Sequence, residues 1–450
     1  MENLTGHHFV AIIGGAVSGS EAAHQLAKRG FRVVVFDQNL LPYGKIEDGL
    51  PKWHVKLRDK EERAIDSKLS QEHIRYVPGV KLGRDIFFDD LVNNWGFSAI
   101  LLATGAWKDR PLPVPGIDQY VNKGLVYQNP FIYWFNHFHE PDYQGPYYPI
   151  RDNAIVIGGG LASLDVVKVL MIETVHQALE DRGIQTDMFT LEKSIKKVLD
   201  DHHLTLKDLG LTGCTLYYRR RAIDMPLSPI AKDTPEAEAK AQKVAQKIME
   251  NFQNKYLFHF EPCAMPVDKL VEQEQLKGMV FQKTEIQDGK VVAVPGSEFT
   301  ARSPLVISSI GSIPEKIEGI PFDGPLFRFT DPKSCQVEGY EHVFALGNAV
   351  TGRGNIKESL EHGKEVSLEV MDHFFDWQEN DYEKWLRTTE STIEKKISSI
   401  AEQIQQKKFM PDEVIQSILD RTEALQRKVG YDGEYDDWID KLLPDRLENI

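Results

Sequence analysis

The sequence predicts an α/β fold with two doubly wound, Rossmann-like nucleotide-binding domains, the first of them discontinuous, and a helical C-terminal extension. Three observations carry this. Gly14-Gly15-Ala16-Val17-Ser18-Gly19 follows the apolar run Phe9 to Ile13, and Gly158-Gly159-Gly160-Leu161-Ala162-Ser163 follows Ala154 to Ile157. From about Trp377 the composition turns to charged, helix-favouring residues. Each glycine turn sits where an apolar strand gives way to an amphipathic helix, the place where free N–H groups and the positive end of a helix dipole receive a pyrophosphate.

The first βαβ unit is complete: strand Phe9–Ile13, helix Ser20–Arg29, Gly30 as the helix stop, and strand Arg32–Asp37. After a loop and a helix to about Leu69, β structure is expected around Ile74–Leu82 and Ala99–Ala103, the latter entering Thr104-Gly105-Ala106. Beyond the proline-punctuated Pro111–Gly116, the stretch Phe131–Pro149 carries Tyr133, Trp134, Phe135, Tyr143, Tyr147 and Tyr148. It reads as an ordered connector packed between domains. The second unit has strand Ala154–Ile157 and a helix from Leu164 to about Leu179, then a polar helical insertion at Asp181–Gly213 and strand Thr215–Tyr218. Residues 235–252 read as a solvent-facing helix, and strands are expected near Gly278–Lys283, Lys290–Val294 and Leu305–Ile310. Val343–Ala349 reads as a last core strand entering a loop with Gly352 and Gly354, and a helix begins near Asn355. The tail, broken at Pro411, Gly430 and Gly433, is either helices packed on the body or a docking arm.

Composition narrows the function. A chain of 450 residues, 41% of them hydrophobic, forms two or three compact units. A net charge of −15 argues against a nucleic-acid partner. Cys214, Cys263 and Cys335 lie far apart and offer neither an iron–sulfur cluster nor a dithiol of neighbouring cysteines. No metal site is expected. No apolar run reaches the length of about eighteen residues that a membrane span needs, and the first strand starts within ten residues of Met1, so a cytoplasmic protein is expected.

The residues in and after the turns give them different chemistry. In such a turn the first glycine permits the bend, the second lets the backbone approach the phosphates, and the third lets the helix pack close to the strand. Ala16 takes the second place of the first turn. In the second turn Gly158 and Gly160 are in place and Ser163 takes the third. Either turn alone also suits a plain strand–helix junction. Asp37, however, ends the next strand where a carboxylate accepts hydrogen bonds from both hydroxyls of an adenosine ribose, and it disfavours a 2′-phosphate. Arg219 and Arg220 end the strand after the second turn; they suit a 2′-phosphate, and hence NADPH, or else form a solvated basic edge.

The run Gly158 to Lys168, the segment Phe131-Ile132-Tyr133-Trp134-Phe135-Asn136 and the strand Leu305–Ile310 with Gly311 resemble the adrenodoxin reductase family of ferredoxin–NADP reductases. Tyr218-Arg219-Arg220-Arg221-Ala222-Ile223-Asp224-Met225-Pro226 is more similar to the related glutamate synthase small-subunit type. The resemblance covers about residues 8–375. It implies FAD in the first site and NADPH in the second, in the two-nucleotide fold of glutathione-reductase-like enzymes but without their disulfide. Carried over by position, Gly14, Ala16, Ser18, Gly19 and Asp37 meet FAD, the backbone of Val80 reads the adenine, and Gly105, Gly347 and Asn348 belong to the flavin site. Gly354, Asn355 and Ile356 present N–H groups to the flavin pyrimidine edge. Gly158, Gly160, Leu161 and Ala162 match the second pyrophosphate turn, and Arg219 and Arg220 the 2′-phosphate pair. Asn348 departs from the pattern, standing where adrenodoxin reductases place a tryptophan. His54 lies in a loop one residue shorter than the family's and matches a histidine that pairs with the acid matching Asp165. That pair is expected near the flavin, relaying protons or orienting the nicotinamide; a surface histidine is the alternative.

The reading that follows is an FAD-dependent oxidoreductase in which NADPH gives hydride to flavin N5 and electrons leave singly for a ferredoxin or another iron–sulfur protein. The alternatives are an electron-input subunit joined to a partner subunit through the extension, and a flavin-binding sensor that does not turn over. The expected domains are residues 1–130 with 320–376 for FAD, 131–319 for NADP, and 377–450 for the extension.

Overall fold

A computed structural model describes residues 7–141, 143–228, 234–331, 334–351 and 374–446. The first unit begins with β1 (Phe9–Ile13), α1 (Val17–Ala27), β2 (Arg32–Phe36), α2 (Lys45–Asp48), α3 (Val55–Leu69), β3 (Ile74–Val77), α4 (Phe88–Asn94) and β4 (Ala99–Leu102). β1 pairs in parallel with β2 and β4, and β2 with β3. Every residue of β1 is buried, as befits a central parallel strand covered on both faces. The two-residue period of the strand sends Val10 and Ile12 into one core and Ala11 and Ile13 into the other.

The second unit follows with β5 (Lys108–Asp109), β6 (Leu125–Tyr127), α5 (Gln128–His137), β7 (Ile155–Gly158), α6 (Leu161–Glu180), α7 (Met188–Lys193), α8 (Ile195–Asp201), β8 (Thr215–Tyr218), α9 (Pro235–Tyr256) and β9 (His259–Pro262). Then come β10 (Ala264–Glu272), β11 (Gln275–Gln287), β12 (Lys290–Arg302), β13 (Val306–Ser309) and β14 (Ser312–Ile313). The parallel sheet runs β6-β13-β7-β8-β9, with β10–β12 forming an antiparallel sheet beside it. β5 pairs with β14, so the chain leaves the first unit and returns to it along one two-stranded ribbon. β6 lies in this sheet through its parallel pairing with β13.

Two segments differ from the sequence expectation. Phe131–Asn136, expected within an ordered connector, lies inside the helix α5, because Pro130 falls in the first turn, where its missing N–H costs nothing. Phe131, Trp134 and Phe135 then share a buried face with Tyr148 and with Trp53 of the first unit. β11 and β12 are 13 residues each, longer than the apolar stretches marked them. Their polar, half-exposed residues conceal the alternation.

The chain closes with β15 (Phe322–Asp323), β16 (Leu326–Phe327), β17 (Phe329–Asp331), β18 (Gln336–Val337), β19 (Val343–Ala345), α10 (Asn348–Thr351), α11 (Phe374–Gln405), α12 (Asp412–Val429) and α13 (Tyr435–Leu442). β19 pairs in parallel with β4, which makes the first unit discontinuous. The tail packs on that unit. Ile393, Ile397, Ile400 and Ile404 of α11 join the core of Ala22, Ala23 and Leu26, while Ile415, Ile418 and Leu425 of α12 join the core on the opposite face of the sheet. Among the described residues no helix is long and apolar enough to cross a membrane.

Candidate active site

The first turn is closed by a buried acid. Gly14 holds φ +104, and a Cβ there would overlap Ala103 O, so no other residue fits. Asp37, 5% exposed, accepts the Gly15 N–H at Oδ2 (2.6 Å) and the Asn39 N–H at Oδ1 (2.8 Å). Burial pushes its carboxyl up to about 6, although both N–H donors pull the other way. The acid thus shapes the turn from the end of β2. α1 starts at Val17 without a side-chain cap, leaving the first-turn N–H groups to a ligand. Gly19 sits so close to Gly14 O that the helix touches the strand end. Ala16 meets Gly44 across the mouth of the turn.

Ser18 and Gly347, far apart in sequence, meet here: Gly347 has φ +60, and a Cβ on it would overlap Ser18 Oγ. Asn348, half-buried, begins α10 beside them. Gly105 turns at φ +68 next to Trp107. Val80 is buried and donates its N–H to Asp37 O at 2.7 Å, so only its carbonyl is left to read a base. Gly354, Asn355 and Ile356 lie outside the described residues. An uncapped helix start, a buried acid and a turn without side-chain bulk fit a dinucleotide.

The second turn has the same plan with a different outlet. Gly158 is packed against Ser309 O and Ser163, and Gly159 lies under the Tyr218 ring, whereas the space around Gly160 is open. Ser163 does not force α6 away, since Gly158 has no Cβ to meet it and Ser163 Oγ bonds Gly160 O at 2.6 Å. Gly160 caps α6 with no side-chain bond, and Leu161 and Ala162 open the helix. At the end of β8, Arg219 is exposed, and Arg220 Nη2 donates to Gly289 O (3.0 Å) in the β11–β12 turn. Arg221 is committed to Asp224 through two bonds of 2.8 and 2.9 Å. Two arginines thus remain beside the open turn, which fits an anionic group on the second nucleotide.

Between the units the structure brings His54 and Asp165 together. His54 precedes α3, Asp165 lies on α6, both are at least 95% buried, and His54 Nε2 is 4.0 Å from Asp165 Oδ1. Around the junction stand groups that the sequence did not single out. Lys45 Nζ bonds Asn129 Oδ1 (3.0 Å) and Ser312 Oγ (3.1 Å), joining α2, α5 and β14. Burial lowers Lys45 to about 8, against the pull of Asp109 and Asp48. His137 lies 3.2 Å from Asp48 Oδ1 and 2.8 Å from Glu140 Oε1. Their only signal in the sequence is a charged residue within a buried helical pattern. Glu47, His137 and Glu140 have ligand atoms close enough to hold a metal, but both ring nitrogens of His137 face carboxylates, and Arg446 occupies Glu47. The cluster is therefore already neutralised by the chain itself.

Two glycine turns, one beside a buried acid and the other beside arginines, with a buried histidine–acid pair between them, suit a two-nucleotide oxidoreductase. Residues 8–206 match the family described as pyridine nucleotide-disulphide oxidoreductase. Over those residues the chain is similar to this family. It is 26% identical over 345 residues to the mitochondrial NADPH:adrenodoxin oxidoreductase of Arabidopsis thaliana, covering 70% of this chain and 69% of that one. It is 32% identical over 391 residues to the glutamate synthase [NADPH] small chain of Bacillus subtilis, covering 80% of this chain and 66% of that one. The solved structure of Mycobacterium tuberculosis FprA in complex with NADPH shares the fold at 19% identity, with a TM-score of 0.64 over 94% of this chain and 91% of that one.

Proposed function

We propose that this chain is an FAD-dependent NADPH oxidoreductase that hands electrons to a separate one-electron carrier of the ferredoxin type. The observation that supports it most is the contrast between the two ribose ends: a buried carboxylate, Asp37, at the first turn and the arginines Arg219 and Arg220 at the second. Bound FAD would supply the redox chemistry, accepting a hydride from NADPH and releasing electrons one at a time. The residues of the chain bind and orient. The first-turn N–H groups of α1, the turn at Gly14–Gly19 and Asp37 would hold FAD, with Gly105, Gly347 and Asn348 along the flavin. Gly160, Leu161 and Ala162 would hold the NADPH pyrophosphate, and Arg219 and Arg220 its 2′-phosphate. His54 and Asp165, buried at the junction, would keep water out and set the approach of the nicotinamide.

Rapid mixing with NADPH and with NADH, followed by a screen of one-electron acceptors, tests this. Bleaching of the flavin by NADPH at far lower concentration than by NADH, with ferredoxin reduction downstream, is the expected result. Flavin that does not bleach with NADPH overturns it. The likeness to a glutamate synthase small chain over 80% of this chain favours a second reading, an electron-input subunit. A partner that co-purifies stably and accepts the electrons would select that reading over a free cytoplasmic reductase.

A further inference from the structure

Lys168 stands on α6 one turn beyond Asp165 and is wholly buried, 0% exposed. A lysine kept from water must find partners for its charge. Its Nζ lies 2.6 Å from Glu192 Oε1 on α7, 4.3 Å from the centre of a Trp53 ring and 5.4 Å from that of Tyr256. Glu192 and Tyr256 belong to the second unit. Trp53 belongs to the first, directly precedes His54 in the chain, and also meets the rings of Phe135 of α5 and of His54, at 5.4 and 6.1 Å between ring centres.

One helix turn therefore carries both sides of the junction: Asp165 itself, and the cation that holds the residue next to His54. We infer that Lys168 is a positioning residue for the His54–Asp165 pair, gripping the Trp53 ring so that His54 faces Asp165 across the boundary of the two units. A bond to Glu192 would hold the lysine within the second unit without any help from Trp53. Its placement over the indole joins that unit to the first. Cation–π attraction is strongest where water is excluded, and Trp53 is only 8% exposed. The pair it serves has little slack, since at 4.0 Å the His54 and Asp165 atoms stand at the outer limit of a direct interaction. This inference rests on the oxidoreductase reading of the pair.

The test is a double-mutant cycle on the flavin-loaded protein, comparing Lys168→Met, His54→Gln and the two together, with Lys168→Arg and Trp53→Leu as companions. Flavin bleaching by NADPH is followed to saturation. We expect Lys168→Met to slow the saturated rate about tenfold, with half-saturation by NADPH changed less than about twofold. The double variant should be no slower than His54→Gln, and Lys168→Arg should restore most of the rate. In flavin-free protein, the imidazole resonance that vanishes in His54→Gln should shift in Lys168→Met. Should Lys168→Met not fold, Trp53→Leu, which removes the gripped ring and keeps the lysine, must show the same non-additivity with His54→Gln. Multiplying losses, or an unmoved His54 resonance, would overturn the inference. If His54→Gln itself bleaches at the normal rate, the role of the pair falls and the inference falls with it. That outcome is distinct from the case in which only the Lys168 effect is missing.

Discussion

Asp37 Oδ2 accepts the N–H of Gly15 at 2.6 Å, tying the end of β2 into the first glycine turn before any ligand arrives. Replacing Asp37 by Ala leaves the N–H groups of Gly15 and Asn39 without their buried acceptor, at a cost of about 1–3 kcal/mol each if water cannot reach them. The flavin-free protein should melt several degrees lower, and purified variant should carry less FAD. The carboxyl is raised from 3.8 to about 6 mainly by burial. A raised acid holds its proton more tightly folded than unfolded, so its contribution is favourable below the unfolded value and is lost as pH rises through the folded value. Thermal unfolding of flavin-free Asp37→Asn should therefore lose part of the decline in stability between pH 4 and 6. An unchanged pH profile contradicts this account.

The three arginines after β8 should separate cleanly. Arg219 is exposed beside the open turn, Arg220 spends one N–H on Gly289 O, and Arg221 is locked to Asp224. Arg219→Ala should weaken NADPH binding by roughly 1.5–3 kcal/mol, about ten- to a hundredfold, and leave NADH binding nearly unchanged. Arg221→Ala should discriminate little between the two nucleotides. Calorimetric titration of both variants decides it: equal losses for NADPH and NADH at Arg219 would refute the assignment.

The fold was legible wherever local pattern and burial agree. β1 and β7 are short apolar runs that give way to glycines, and a turn that must pass within contact of a strand end leaves a glycine in the sequence, as Gly14 does. The tail was legible as helical, but its place was not, because the spacing of Ile393, Ile397, Ile400 and Ile404 shows a buried face without naming what buries it. At the site, the meeting of His54 with Asp165 came from likeness to a family rather than from spacing. Lys45, Trp53 and Lys168 escaped notice because their roles arise only when α2, α5 and α6 come together. A lysine at one position of an amphipathic helix looks solvated until its neighbours are known.

His137 should make the junction sensitive to alkali. Burial alone would lower its pKa, but the bonds to Asp48 and Glu140 outweigh burial and raise it to about 9. With the folded value above the unfolded 6.5, the stabilisation is complete below about 6.5 and fades as pH climbs through 9. By linkage it is worth on the order of 3 kcal/mol at most. Tyr133, tilted against the imidazole with ring centres 4.5 Å apart, and the carboxylates of Asp48, Glu140 and Glu47 face it, with His139 nearby. Unfolding of His137→Gln followed from pH 6 to 10 should show a flatter profile than the natural chain. A profile of equal slope would show that His137 does not carry it.

Removing the tail should unfold the first unit rather than release a free reductase. Trp438 is 6% exposed and donates Nε1–H to Leu40 O at 2.9 Å, and Tyr435 hydroxyl reaches Asp66 Oδ1 at 2.8 Å. Arg446 bonds Glu62 at 2.8 and 3.0 Å and also grips Glu47, so two buried carboxylates share one guanidinium. Trp438→Ala empties a packed site at a cost of about 3–5 kcal/mol. Arg446→Met takes the guanidinium away from Glu47 and leaves Glu62 with Arg58 alone, 3.8 Å away, at a cost of about 3–5 kcal/mol at most, because burial already raises the Glu62 carboxyl to about 9 and its proton eases the loss. Chemical denaturation should therefore show a large loss of midpoint for each variant, and a chain cut after Gln405 should be insoluble or lose its flavin. A truncated chain that keeps its flavin and bleaches with NADPH at the normal rate would instead make the tail a detachable arm.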